Sequence, residues 1–151
     1  MFQRLLAENH RIHGVVASIL GDAPILFQEM ALVKPSFVGT EKPWHQDNAY
    51  FSVTPLDAIL GVWIALDDAG VENGCMHVIP GGHEMGSLRH HHTSDCEILP
   101  GRIDSGQVRP VPVPAGGALF LRVAAAPDAA EPQPTTPPGP AIPLSGEMER
   151  D

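Results

Sequence analysis

Lys42-Pro43-Trp44-His45-Gln46-Asp47-Asn48-Ala49-Tyr50 is the stretch that decides how this chain is read. It reads as extended backbone running on to Pro55. In a strand, residues i and i+2 point to the same face. His45 and Asp47 are therefore expected to bring an imidazole nitrogen and a carboxylate oxygen together from one short piece of chain. Two histidines and one carboxylate form the facial set that holds non-haem Fe(II) and leaves three positions open. This pair supplies two of those three ligands.

The text on either side breaks into short segments. Upstream, Phe2, Leu5, Leu6, Ile12, Val16, Ile19 and Leu20 fall near i, i+3, i+4 spacing and predict a helix over 2–20, ended by Gly21. Pro24 to Lys34 reads as a strand with Gln28, Met30 and Leu32 on one face. Downstream, Ile59 to Leu66 is apolar on both faces, as in a strand with layers packed on each side. Asn73-Gly74 reads as turn chemistry. Cys75 to Ile79 is a short strand, and residues 83–107 read as a long polar loop holding His90-His91-His92. Pro110 and Pro112 confine Val108 to Val113 to a sheet edge, and Ala118 to Val123 is a last strand. Short strands between Gly/Pro turns, with one early helix packed outside, indicate a mainly β sandwich or jelly roll. The last 28 residues carry seven prolines and few large apolar side chains. The division expected is a β domain over 1–123 and a disordered Pro/Ala-rich tail over 124–151.

Composition narrows the function classes. A chain of 151 residues is one domain at most. A net charge of −9 argues against nucleic acid and anionic membrane surfaces, both of which call for basic patches. Cys75 and Cys96 are too few for a disulfide scaffold and read as reduced thiols. The longest apolar run, Ile59 to Leu66, falls far short of the roughly 20 residues a membrane helix needs. A cytoplasmic location is the expectation.

Taken together, these segments resemble the phytanoyl-CoA dioxygenase family of Fe(II)- and 2-oxoglutarate-dependent oxygenases. The resemblance runs from about Phe27 to Phe120. It is carried by Gln28-Glu29-Met30 with Lys34-Pro35, by Trp44-His45-Gln46-Asp47-Asn48, and by Val62-Trp63-Ile64-Ala65-Leu66-Asp67-Asp68. It continues through Glu72-Asn73-Gly74-Cys75-Met76-His77-Val78-Ile79-Pro80-Gly81-Gly82-His83 and ends at Gly116-Gly117-Ala118-Leu119-Phe120. The resemblance implies a double-stranded β-helix, a cupin-like jelly roll. It implies His45 and Asp47 as iron ligands, and Gln28, Met30 and Trp63 as lining of the 2-oxoglutarate pocket. The activity implied is hydroxylation of a small-molecule substrate by dioxygen, coupled to decarboxylation of 2-oxoglutarate to succinate.

Family members continue after this last motif with a second ligand histidine and, about ten residues later, an arginine that pairs with the far carboxylate of 2-oxoglutarate. Here the text after Phe120 is Leu121-Arg122-Val123-Ala124-Ala125-Ala126-Pro127, and no histidine follows His92. The expectation is an incomplete jelly roll, truncated at the N-terminus and divergent or frameshifted after Phe120. Two alternatives to the enzyme stay open at this point. One is a non-catalytic remnant of a broken gene. The other is a cupin-like module that binds a metal or small molecule through His45, Asp47 and one loop histidine.

Overall fold

A computed structural model of the chain describes residues 8–34, 42–51, 53–55, 57–92, 95–122 and 144–150, the last as a backbone strand. Helix α1 spans His10–Leu20. Asn9 caps it, its side-chain oxygen accepting from the Arg11 and Ile12 amides at 3.1 and 3.2 Å. Such a cap satisfies donors that the first turn leaves without partners. Gly21, with φ of 78°, ends the helix in the left-handed conformation that suits glycine. The cap marks the start of this helix at His10. The expected start at residue 2 lies outside the described residues.

Strand β1 spans Pro24–Ala31 and bends at a bulge between Leu26 and Gln28. A short helix, α2, spans Asn48–Phe51. Strand β2 spans Ile59–Ile64, β3 Met76–Val78, β4 His90–His92, β5 Cys96–Ile98, β6 Arg109–Val111, β7 Ala118–Arg122 and β8 Leu144–Arg150. A four-stranded sheet has the order β1-β8-β2-β7, and β3-β6 and β4-β5 form two antiparallel ribbons. The described chain is thus mainly β. Pro110 lies in a two-stranded ribbon opposite His77, where its missing N–H breaks no central ladder.

The core lies on both faces of β2, as its unbroken apolar text requires. On one face Leu60 and Val62 pack against Val16 and Leu20 of α1, with Leu26, Ile64 and Phe120 around them. On the other, Trp63 meets Ala65, Val113, Met76, Val111 and Leu119. An alternating strand would have covered only one of these layers. The turn after β2 is closed by Asn73, which accepts from the Gly70 amide at 2.6 Å and donates to the Asp68 carbonyl at 2.7 Å. Gly74 follows with φ of 93°. A bridge between Ala69 and Val113 ties this turn to the segment leading into β7.

Three expectations are corrected. The extended segment through His45 stops at Gln46, and α2 replaces the rest of it. The polar text over 83–107 contains the β4-β5 hairpin and two short 3-10 turns, not one long loop. The tail is not structureless at its end. Leu144–Arg150 lies between β1 and β2, and residues 123–143 fall outside the described residues. Pro-rich composition hid this strand because its stability comes from backbone pairing with neighbours on both sides, which no local pattern reports.

Candidate metal half-site

Trp44 and His45 enter the site as extended backbone, held where the Ile98 amide donates to the Trp44 carbonyl at 2.7 Å. The chain then turns. The Ala49 amide donates to the Gln46 carbonyl at 2.9 Å, and the Tyr50 amide to the Asp47 carbonyl at 2.8 Å. Asp47 therefore sits at the head of α2, and the turn, not a strand alternation, brings it back toward His45. His45 Nε2 lies 3.2 Å from Asp47 Oδ1. Two donor atoms each about 2.1 Å from one metal, at right angles, stand about 3.0 Å apart. The observed separation matches that geometry.

The His45 ring is oriented for the task. Nδ1 lies 2.7 Å from the Pro43 carbonyl oxygen. A carbonyl can only accept, so Nδ1 carries the proton and Nε2 presents its lone pair beside Asp47. Metal-ligating histidines are commonly fixed in this way through the other ring nitrogen. The ring is buried at 8% exposure. The donor set of one neutral imidazole and one carboxylate suits a divalent transition metal. Among the described residues no group of three or more His, Cys, Asp or Glu could hold a metal.

Two side chains that the motif reading passed over hold this segment. Gln46 is buried at 2% exposure. Its Nε2 donates to the Gly86 carbonyl and its Oε1 accepts from the Leu88 amide, both at 2.8 Å. The Gln46 amide donates to His90 Nε2 at 3.0 Å, and His90 Nδ1 lies 3.0 Å from the Leu88 carbonyl. Both His90 nitrogens are thus engaged in holding the loop. Burial pushes its pKa below the usual histidine range, with the nearby His45 and His92 adding to that and the Leu88 hydrogen bond opposing it. The histidine triplet is therefore part of a hairpin, with His92 Nδ1 3.1 Å from Cys96 Sγ. Both cysteines are free thiols.

Tyr50 is the second. Its ring meets His45 edge-on at 5.7 Å between centroids. Its hydroxyl accepts from the Cys96 amide at 3.2 Å and lies 3.4 Å from Asp95 Oδ1. Lys42 pairs with Asp95 and stands 5.5 Å from the Tyr50 ring centroid. Burial opposes the Lys42 charge, but the bonds to Asp95 and Tyr50 outweigh it and raise its pKa; the Lys42 bond lowers that of Asp95. The i+3 spacing of Tyr50 from Asp47 on a helical turn could have flagged it. Asp95 carries no such signal, being 45 residues away.

The other site candidates sit on the four-stranded sheet. Trp63 is buried at 4% exposure, whereas Met30 is 43% exposed at the outer strand. Both pair with Ser145, so they lie at one level of the sheet, two strand spacings or about 10 Å apart. Gln28 pairs with Glu147, which pairs in turn with Gly61.

A mainly β fold thus brings a buried histidine and a carboxylate together on one turn of chain, a candidate metal half-site. The phytanoyl-CoA dioxygenase (PhyH) family model matches residues 2–131, and the chain belongs to that family. It is 34% identical over 125 residues to phytanoyl-CoA dioxygenase domain-containing protein 1 of Bos taurus, covering 78% of this chain and 43% of that protein. A phytanoyl-CoA dioxygenase of Arabidopsis thaliana is 40% identical over 75 residues, 49% of this chain and 26% of that one. The chain thus spans less than half the length of these relatives. Among solved structures, the apo form of the non-heme monooxygenase ThoJ aligns with a TM-score of 0.80 at 27% identity, over 93% of this chain and 52% of that one. EvdO2 from Micromonospora carbonacea var. aurantiaca, complexed with 2-oxoglutarate, aligns at 0.76 and 28%, over 97% and 62%. No helix among the described residues is long and apolar enough to cross a membrane.

Proposed function

We propose that this chain carries the Fe(II)- and 2-oxoglutarate-dependent dioxygenase function of its family, on a double-stranded β-helix, and hydroxylates a small-molecule substrate. The observation that carries this reading is the 3.2 Å approach of His45 Nε2 to Asp47 Oδ1, with His45 Nδ1 held on the Pro43 carbonyl. His45 contributes a neutral donor and Asp47 one negative charge. When bound, Fe(II) supplies the site for dioxygen and for the 2-keto acid, chemistry that side chains alone lack. Pro43 fixes the ring that meets the metal, Gln46 anchors the turn from behind, and Tyr50 covers the edge of His45. Gln28, Met30 and Trp63 are assigned to the lining of the 2-oxoglutarate pocket. Likeness to EvdO2, solved with 2-oxoglutarate, supports that assignment.

The test is anaerobic titration of the chain with Fe(II) and 2-oxoglutarate, followed by the visible charge-transfer absorption of the chelate and then by succinate release in air. A band that is lost in His45→Ala and in Asp47→Ala is expected. A wild-type chain that takes up no Fe(II) refutes the reading. A metal-binding module without turnover is the second reading, favoured by the two, not three, ligand side chains brought together among the described residues. It predicts the same metal uptake with no succinate.

A further inference from the structure

The β4-β5 hairpin sets His92 directly across from Cys96. Opposed residues of an antiparallel pair carry their side chains on the same face. Cys96 Sγ accordingly lies 3.1 Å from His92 Nδ1, within the reach of a nucleophile and its base. The Ala49 carbonyl, a second acceptor beside the thiol, is 3.8 Å away. The nearer imidazole is therefore the group that takes the thiol proton, leaving a thiolate beside an imidazolium. The neighbouring Asp95 carboxylate is paired with Lys42, which compensates its charge. Cys75 differs on each count. It is fully buried, and burial pushes its thiol up. Cys96 keeps 6% exposure beside the exposed His92. The metal half-site uses neither side chain of this pair.

We propose that Cys96 and His92 form a nucleophilic thiol–imidazole pair, a modification site that reacts with a small hydroperoxide. With hydrogen peroxide, the Cys96 sulfur attacks one peroxide oxygen. The S–O bond forms as the O–O bond breaks, and sulfur gives up two electrons. The departing hydroxide takes the proton held on His92 Nδ1. The products are a cysteine sulfenic acid and water, with the imidazole neutral again. No metal takes part. The site is placed to be felt at His45. The Cys96 amide donates to the Tyr50 hydroxyl at 3.2 Å, and the Tyr50 ring meets His45 edge-on. An oxygen added to this nearly enclosed sulfur crowds Ala49 and Tyr50 of α2. Oxidation therefore weakens the hydroxyl–amide link and loosens the ring that covers His45.

The experiment treats the full chain, with a chelator present, with hydrogen peroxide and then with dimedone, which captures sulfenic acid. Peptide mass mapping follows each cysteine over time in wild type, Cys75→Ser, Cys96→Ser, His92→Gln and His91→Gln. Circular dichroism verifies folding. Labelling at Cys96 is expected to run about tenfold or more ahead of Cys75. It should slow about tenfold in His92→Gln and stay unchanged in His91→Gln, whose side chain lies on the other face of the hairpin. The direction in His92→Gln separates a base from a packing residue, because a merely loosened hairpin exposes Cys96 and labels faster. Equal labelling of the two cysteines, no labelling of Cys96, or a rate in His92→Gln at or above wild type overturns the proposal. Amide exchange on the oxidised chain reads the link to Tyr50. The Cys96 N–H should lose protection, and unchanged protection refutes the loosening of Tyr50.

Discussion

Replacing Gln46 by Ala removes both side-chain bonds that fasten the ligand turn to the loop behind it. The Gly86 carbonyl and the Leu88 amide lose their 2.8 Å partners in a partly buried setting. A net hydrogen bond is worth about 1 kcal/mol, and the lost methylene burial adds roughly 0.8 kcal/mol. The expected destabilisation is therefore about 2–3 kcal/mol. With a urea m-value of about 2 kcal/mol/M, the midpoint should fall by about 1–1.5 M at constant m. Gln46→Glu keeps the acceptor for Leu88 but sets a carboxylate against the Gly86 carbonyl, and at neutral pH it should cost at least as much as Ala. Amide exchange sharpens the test, because Leu88 N–H should lose protection in Gln46→Ala while Gln46 N–H, held by His90 Nε2, loses less. Metal affinity should fall with stability, since the same turn positions His45 and Asp47. A Gln46→Ala variant within 0.5 kcal/mol of wild type, or one with unchanged Leu88 exchange, would refute the view that this side chain anchors the site.

Other outcomes follow from the same contacts. Tyr50→Phe keeps the ring against His45 but loses the hydroxyl link to Cys96 and Asp95; a stability loss of about 1 kcal/mol by urea unfolding is expected, with Tyr50→Ala costing more. Leu60→Ala, at a side chain 1% exposed between α1 and the sheet, should cost about 2–5 kcal/mol by the same assay. His90 is held neutral with a lowered pKa, so its contribution is present above the unfolded histidine value of about 6.5 and is lost as pH falls through the lower folded value. Urea midpoints measured from pH 8 to pH 5 should drop on the acid side, and less so in His90→Gln. Lys34 has the opposite window. Its ammonium is disfavoured in the folded state, so the cost is fully present at pH 7 and is relieved as pH rises from about 8 toward the ordinary lysine value of 10.5. Wild type should gain on Lys34→Met over that range, read from paired unfolding curves.

The sequence by itself determined the parts that depend on local text. The unbroken apolar run of β2 required layers on both faces, and α1 and the Trp63 cluster supply them. Asn73-Gly74 specified a turn, and Pro110 a ribbon edge. The motif text from Gln28 to Phe120 carried the family resemblance, and His45-Gln46-Asp47 named the candidate ligand pair. The tertiary structure decided what depends on distant partners. His45 and Asp47 converge through a turn into α2, because backbone bonds from Ala49 and Tyr50 close it, and not through strand alternation. Gln46 became an anchor only when residues some 40 positions away came within 2.8 Å of it. Tyr50 gained its role from Cys96 and Asp95 on the hairpin, and Lys34 met the Gly74 carbonyl, 40 positions away, only through the fold. Leu144–Arg150 shows the limit most sharply. Its text lacks a strand pattern, yet it fills the gap between β1 and β2, because pairing on two sides satisfies its backbone and that pairing belongs to the sheet as a whole.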